Sequence, residues 1–332
     1  MSCLPATRLL PPLSAAVLIN AFALPSALPV KRLHPGRPLA FAAWTIQLVS
    51  VDHYENFPVA SILCPPRLRP AVAALYGFAR TADDIADEGE ASNAERLADL
   101  AAFGADLQAT YAGGTTSPRW PNVFGPMSAA VEAHALPAHH LTRLLSAFEQ
   151  DVVQQRYLDR AQLLDYCSRS ANPVGRLLLH LYGVTGEDAL AQSDAICTAL
   201  QLVNFWQDLG IDTRRGRLYV PIDDCARYGV DPHDLLAHKD SVAARRLVRG
   251  MVGWARELML RGAPLVHAVP GRAGWELRLV VQGGLRLLEK IDAIDYATLA
   301  IRPTLKATDA PLLAWRALRM RPAPVHVAQN AA

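Results

Sequence analysis

The sequence contains an acidic group that is spaced for metal chemistry. Asp83, Asp84 and Asp87 follow Arg80, and Asp83 precedes Asp87 by four residues. On a helix this spacing places both carboxyl groups on one face, about 6 Å apart along the axis, where like charges repel each other. A divalent cation removes that repulsion, and carboxylate oxygens suit Mg²⁺, which commonly bridges to substrate phosphates. The group therefore predicts a magnesium site that receives a phosphorylated ligand.

A second polar group lies much later in the chain. Asn204, Asp208 and Asp212 follow one another at intervals of four residues, so that they share one stripe of a helix whose other face is apolar. Either group alone is equally compatible with a solvated helix face. Charged residues seldom occur within apolar helical sequence without a partner, so the two groups together favour a metal site across the core of a helical bundle.

The elements that must position these groups are helical almost throughout. Apolar residues recur at helical spacing from residue 67 onward, and Ser92 followed by Glu95 is a capping box that starts one helix. Asn172-Pro173 should break or kink the helix that contains it. Only about 213–232 reads as non-helical, so the prediction is an all-α fold. The further predicted helices span 137–157, 161–184, 187–212, 241–262, 272–292 and 309–320.

Composition narrows the class of protein. The chain has 332 residues, of which 51% are hydrophobic and 19% are charged, and its net charge is +2. These values are typical of a globular protein and give no support to a nucleic-acid partner. The five cysteines are scattered without a C-x-x-C pair, which favours a reduced, cytoplasmic chain without a zinc site.

The first fifty residues differ from the rest. Their apolar stretch, 13–24, is shorter than the roughly 20 residues that a membrane-spanning helix needs. We predict that 1–50 is a disordered extension, with a secretory signal as the alternative. The folded domain should begin near Val51.

The motifs, in this order and spacing, resemble those of the squalene and phytoene synthase family of head-to-head isoprenoid synthases. The resemblance covers roughly residues 51–295. Its two acidic motifs read Tyr76-x-x-x-Arg80-x-x-Asp83-Asp84-x-x-Asp87 and Asn204-x-x-x-Asp208-x-x-x-Asp212. The other matching positions are His53, Phe57, Tyr166-Cys167, Val174-Gly175 and Gly216-Arg217-x-Tyr219-x-Pro221.

Within the family, the sequence is most similar to the hydroxysqualene synthase branch of bacterial hopanoid biosynthesis. The residues that carry this similarity are His53 to Ser61, Asn172 to Gly175 and Asn204 to Asp208. Squalene and phytoene synthases usually have Arg at the position of Gln207 and an Ala-Gly pair at Asn172-Pro173. These departures argue against both the condensation of two prenyl diphosphates and the use of NADPH.

The resemblance implies a single-domain isoprenoid-synthase-type helical bundle with a central apolar cavity, followed by a C-terminal helix and flexible tail over 296–332. It implies conversion of presqualene diphosphate and water to hydroxysqualene, with release of diphosphate and with Mg²⁺ but not NADPH as cofactor. The implied metal ligands are Asp83, Asp84, Asp87, Asn204, Asp208 and Asp212. The implied substrate-binding residues are His53, Phe57, Arg80, Gln201, Asn204 and Arg217, with Arg80 and Arg217 on diphosphate oxygens. The implied catalytic residues are Tyr76, Arg80, Tyr166, Arg217 and Tyr219.

Several alternatives stay open at this point. The three tyrosines could steady a cation, orient the diphosphate or place water, and each could equally be a core aromatic residue. The chain could instead be a presqualene diphosphate, phytoene or dehydrosqualene synthase that condenses two prenyl diphosphates, or a non-catalytic scaffold relative. Neighbouring hopanoid-pathway enzymes are candidate partners, and a lipid substrate leaves room for peripheral contact with the inner membrane.

Overall fold

The computed structural model describes residues 64–321, and helices form almost all of its regular structure. Within this range there is no strand, and Arg156 and Leu218 form an isolated parallel bridge. The all-α prediction is therefore confirmed. In chain order the helices are α1 (Arg69–Asp87), α2 (Asn93–Ala112), α3 (Pro121–His134), α4 (Ala138–Val153), α5 (Arg160–Ser170), α6 (Asn172–Tyr182), α7 (Glu187–Gln207), α8 (Leu209–Arg214), α9 (Ile222–Tyr228), α10 (Pro232–Leu236), α11 (Val242–Gly262), α12 (Gly271–Ala293) and α13 (Ala310–Arg319).

Two local predictions are confirmed by the backbone. Ser92 caps α2, since its hydroxyl accepts the N–H of Glu95 while the Glu95 carboxylate accepts the N–H of Ser92. Ala171 separates α5 from α6, and Pro173 lies in the first turn of α6, where its missing N–H costs no helical hydrogen bond. The predicted C-terminal helix is also present as α13.

Two predicted helix boundaries are wrong. The helix predicted over 137–157 ends at Val153, because the next residues extend to pair with the chain around Leu218. The helix predicted over 187–212 is interrupted at Asp208, where the Gly210 N–H donates to the Thr298 carbonyl at 3.2 Å instead of continuing the helix.

The segment 213–232, expected to be non-helical, contains α9. Pro and Gly in this segment suggest helix breaks, but Pro221 precedes the first helical residue and Gly229 ends the helix in the left-handed conformation, with φ at 67°. Two acidic residues in the first turn, Asp223 and Asp224, favour the same helix because its N-terminus carries partial positive charge.

Helix α7 lies at the centre of the fold. It is buried on almost every side between Ser193 and Gln207, and it packs against α6, α11 and α12. A helix that is buried all round belongs to the interior of a larger bundle. The N-terminal helices form a second layer, in which α1 packs against α3 and α4. The polar groups of α7 are therefore held in a desolvated interior.

A small apolar pocket, partly open to solvent, lies between α1, α4 and α6. Its walls are formed only by aliphatic side chains, so it suits a hydrocarbon rather than a polar ligand. The lining residues are Val72, Leu75, Leu141, Leu144, Val174, Leu177 and Leu178.

None of the helices between residues 64 and 321 has the length and the apolar character that a membrane-spanning segment requires. The predicted extension 1–50 and the predicted substrate-binding residues His53 and Phe57 lie outside the described residues.

Candidate active site

Helix α1 presents the first acidic group next to a guanidinium. Arg80 Nη2 lies 2.6 Å from Asp84 Oδ1 and 2.8 Å from Glu88 Oε1, and Arg80 Nη1 lies 3.9 Å from Asp83 Oδ2. The Asp83 side chain is buried, with only 3% of its surface exposed, whereas Asp84 is 39% exposed. The face of α1 that bears Asp83 thus points into the protein, while Asp84 lies at its edge.

Burial makes the charged form of these carboxyl groups costly. The pKa of Asp83 is raised well above its ordinary value, first by burial and then by the nearby charge of Asp87. Burial also raises the pKa of Asp84 to about 6, although Arg80 opposes the shift. A cation at this position would relieve both effects, because it stabilises the ionised carboxylates.

The second polar group lies at the junction of α7 and α8. Asn204 is on the last full turn of α7, Asp208 is the residue between the helices, and Asp212 is on α8. All three are at least 97% buried. The pKa of Asp212 is raised well above its ordinary value by burial and by Asp208. Its Oδ2 has no hydrogen-bond partner among residues 64–321, so a buried acceptor is open to a ligand.

Arg217 links the two groups. Its Nη1 donates to Asp87 Oδ2 at 3.0 Å and its Nη2 contacts Asp87 Oδ1, while its backbone N–H donates to the Asp212 carbonyl at 2.9 Å. Asp87 in turn contributes to the raised pKa of Asp212, so the two carboxyl groups lie within electrostatic range of each other. The structure therefore brings both acidic motifs into one buried site.

Two of the predicted tyrosines belong to a buried aromatic cluster beside this site. The Tyr219 ring stacks on Phe205 with centroids 3.8 Å apart, and Tyr166 lies 6.1 Å from Tyr219. The Tyr166 hydroxyl donates to Asp151 Oδ2 at 2.8 Å. Tyr76 is on α1, one turn before Arg80, and packs against a core formed by α1 to α4 and α6, whereas Tyr166 belongs to a second core.

Gln201 lies on α7 one turn before Asn204, and its side chain is completely buried. Neither its amide nitrogen nor its amide oxygen has a hydrogen-bond partner within the described part of the chain. Its amide group is therefore available to contact a ligand that binds in the interior.

Sequence reasoning missed two charged residues that contact the site. Arg302 Nη2 donates to Asp208 Oδ2 at 3.2 Å and its Nε contacts Oδ1. Arg215 carries a buried Nη1 without a hydrogen-bond partner among the residues described, and its guanidinium is in electrostatic range of Asp87 and Asp212. Arg215 follows the second motif directly and could have been noticed, but nothing in the sequence around Arg302 links it to Asp208.

Asp151 adds a further buried carboxyl group next to the two acidic motifs. It is buried on α4, and burial raises its pKa to about 7 although Arg217 opposes the shift. Its backbone carbonyl lies 3.5 Å from Arg217 Nη2. The structure places it between the aromatic cluster and the Arg217–Asp87 pair.

The site fits a hard cation by its donors rather than by a preformed cage. Within residues 64–321 no three Asp, Glu, His or Cys side chains converge closely enough to hold a metal ion. Three of the acidic residues are instead paired with arginines: Asp84 with Arg80, Asp87 with Arg217 and Asp208 with Arg302. Oxygen donors suit Mg²⁺, and the open Oδ2 of buried Asp212 is compatible with such an ion.

Comparisons with known proteins agree with this geometry. The squalene/phytoene synthase family matches residues 51–309. Hydroxysqualene synthase of Rhodopseudomonas palustris is 34% identical to this chain over 243 residues, which cover 73% of this chain and 80% of that protein. Phytoene synthase of Thermus thermophilus is 31% identical over 276 residues, which cover 82% and 92% respectively.

Solved structures extend the likeness to the fold. Squalene synthase HpnC from Alicyclobacillus acidocaldarius superposes with a TM-score of 0.67 at 35% identity, over 74% of this chain and 90% of that one. The family match spans both acidic motifs and the aromatic cluster, so the resemblance inferred from the motifs is confirmed. The chain belongs to the squalene/phytoene synthase family of enzymes.

Proposed function

We propose that this enzyme converts presqualene diphosphate and water to hydroxysqualene and releases diphosphate. The observation that carries the proposal is the position of Arg217 between the two acidic motifs, with half-buried Arg215 in electrostatic range of Asp87 and Asp212. Such an arrangement can receive a diphosphate group and its counter-cation in a desolvated interior. The identity to hydroxysqualene synthase of Rhodopseudomonas palustris supports the choice of substrate.

The acidic residues would hold Mg²⁺, whose positive charge favours departure of diphosphate when the ion is bound. The residues proposed for this role are Asp83, Asp84, Asp87, Asn204, Asp208 and Asp212. The arginines that now pair with carboxylates, Arg80, Arg217 and Arg302, would then be released to donate to diphosphate oxygens. Guanidinium groups suit that role because they form two parallel, charge-assisted hydrogen bonds.

The aromatic cluster would act on the carbocation that forms when diphosphate leaves. When the carbon–oxygen bond of the ester breaks, its electron pair leaves with the diphosphate and a carbocation remains. The rings of Tyr166 and Tyr219 are buried beside the acidic site and would stabilise that cation through their faces. The aliphatic cavity next to α1 suits part of the hydrocarbon chain. Water then captures the rearranged cation, so the proposal requires no NADPH.

A second candidate function is the condensation of two prenyl diphosphates. The specific observation in its favour is the 31% identity to phytoene synthase of Thermus thermophilus, which extends over 92% of that enzyme. Both functions would use the same acidic motifs, so geometry alone does not separate them.

A product assay separates the two. Purified protein with Mg²⁺ receives presqualene diphosphate in one tube and farnesyl diphosphate in another, without NADPH. We expect hydroxysqualene in the first tube and no product in the second. Release of diphosphate from farnesyl diphosphate, with a C30 product, would favour the condensing function, and no reaction of folded protein in either tube would favour a scaffold.

A further inference from the structure

A small polar region lies in the apolar interior where α5, α6 and α7 meet. Ser170 is the last residue of α5, Asn172 begins α6, and Thr198 and Gln201 are on α7. Ser170 and Gln201 are completely buried, and Thr198 is 95% buried. The buried residues of α6 and α7 are otherwise mostly aliphatic.

The register of the helices sets Ser170 opposite Gln201. A short turn joins α6 to α7, so α5 and α6 run antiparallel to α7. Thr198 Oγ1 donates to Asn172 Oδ1 at 3.0 Å, and the Tyr166 ring lies 6.2 Å from the Phe205 ring. Both contacts join α7 to α5 or α6, and they fix which residues of α7 lie opposite which residues of the preceding helices.

Ser170 and Gln201 lie between these two contacts along the helices. Ser170 lies one turn after Tyr166, and Gln201 lies one turn before Phe205. Both side chains are therefore next to the aromatic cluster, and Gln201 is also one turn from Asn204 of the second acidic motif.

Three polar atoms of this pair have no hydrogen-bond partner among residues 64–321: Ser170 Oγ, Gln201 Nε2 and Gln201 Oε1. Buried polar groups in proteins are nearly always paired with protein atoms, water or a ligand. A serine hydroxyl and a carboxamide together offer donors and acceptors in the number that one buried water molecule uses. The Thr198 hydroxyl donates its proton to Asn172 instead, and this bond fixes the position of the pair along the helices.

We propose that Ser170 and Gln201 hold the water molecule that captures the carbocation. This inference rests on the proposed function and assigns to two residues the step that decides between an alcohol and a hydrocarbon. The ester bond breaks with its electron pair on the diphosphate, and the cation rearranges beside Tyr166. A lone pair of the held water then forms the new carbon–oxygen bond, and the water proton passes to the released diphosphate. No oxidant or reductant is consumed.

The held water is close to the rings that would stabilise the cation, because Ser170 lies one turn after Tyr166 and Gln201 lies one turn before Phe205. Tyr166 itself is an unsuitable holder, because its hydroxyl donates to Asp151. Without the held water, the cation would lose a proton to give a hydrocarbon, or react with water at another carbon.

The test measures product ratio rather than rate. Ser170→Ala and Gln201→Met each remove the polar groups with little change in volume, and Ser193→Ala removes another buried serine of the same bundle, two turns from Gln201. Each protein is incubated in excess with presqualene diphosphate and Mg²⁺ in ¹⁸O-labelled water, and all C30 products are quantified by mass spectrometry.

We expect wild type and Ser193→Ala to give ¹⁸O-labelled hydroxysqualene as the main product. In Ser170→Ala and Gln201→Met the ratio of hydroxysqualene to other C30 products should fall at least tenfold, with hydrocarbons or isomeric alcohols in its place. An unchanged ratio in both variants would overturn the inference, and so would folded variants that form no C30 product, since loss of a held water leaves ionisation intact. Failure of wild type to consume presqualene diphosphate would refute the proposed function instead.

Discussion

Arg217 and Asp87 form a bidentate ion pair that connects the loop after α8 to the end of α1. Their side chains are 12% and 4% exposed, so the pair is shielded from solvent. Asp87 belongs to the first acidic motif, and the Arg217 N–H is bonded to Asp212 of the second. One residue outside both motifs therefore fixes their relative position, and its removal should affect folding as well as activity.

We expect Arg217→Met to lower the free energy of unfolding by about 3 kcal/mol, because it leaves the buried Asp87 carboxylate without its partner. Urea denaturation at pH 8 measures this loss. The matched control is Arg119→Met, whose partner Asp99 is 42% exposed. Exposed pairs contribute about 0–1 kcal/mol, so the control should lose little, and equal losses in the two variants would contradict the buried role of Arg217.

The segment after α12 also contacts the second motif, through its backbone. A Cβ atom added at Gly210 would lie 2.3 Å from the Leu299 carbonyl oxygen, and the Gly210 N–H donates to Thr298. We expect Gly210→Ala to destabilise the protein by about 1–3 kcal/mol, since backbone must move to admit the methyl group. Thermal unfolding gives the measurement.

Gly253 on α11 is the control for this substitution, because nothing lies within 4 Å of its added Cβ. Ala is the better helix former by about 1 kcal/mol, so Gly253→Ala should be neutral or stabilising. A Gly210→Ala protein as stable as wild type would show that residues 298–299 are not held against α8.

The helices and the two acidic motifs were predictable because they depend on local spacing. The stripe of Asn204, Asp208 and Asp212 is visible as an interval of four, and the break at Pro173 follows from one residue. Arg302 was not predictable, since its contact with Asp208 arises from the path of a non-helical segment far along the chain. The partial misprediction around α9 has the same origin, because Pro221 and Gly229 mark its ends and local composition does not distinguish ends from breaks.

The start of α13 should confer a pH-dependent part of the stability. The Asp309 carboxylate accepts hydrogen bonds from Lys290, from the backbone of Lys306 and from Arg286, and although burial opposes its charge these contacts lower its pKa to about 2. A lowered pKa in the folded state means that the unfolded chain binds the proton more tightly. The stabilisation is therefore present above the ordinary pKa of about 4 and is lost as pH falls towards 2.

Asp309→Asn tests this sign. The variant should be less stable than wild type at pH 7 by about 1–2 kcal/mol, since it loses charge-assisted bonds but keeps an oxygen acceptor. The difference should shrink as pH falls from 4 to 2, as followed by urea denaturation at a series of pH values. A difference that is independent of pH would mean that the Asp309 charge contributes nothing.

We expect the Asp212 carboxylate to lower the stability of the folded protein without a metal ion and to raise it when the ion is bound. Its carboxyl group is buried, its Oδ2 is unpartnered within the described chain, and its pKa is raised by burial and by Asp208. A raised pKa means that the folded state binds the proton more tightly, so wild type loses stability as pH rises from the ordinary value of about 4 through the raised one.

Asp212→Asn removes this penalty, and without Mg²⁺ at pH 8 we expect the variant to be the more stable protein, by about 1–3 kcal/mol. With Mg²⁺ and inorganic diphosphate the order should reverse, because only wild type offers the carboxylate that the ion requires. Thermal unfolding with and without both additives gives the comparison, and Asp165→Asn, at an exposed carboxylate of α5, should follow wild type throughout. An Asp212→Asn protein that gains as much as wild type from Mg²⁺ and diphosphate would remove Asp212 from the proposed metal site.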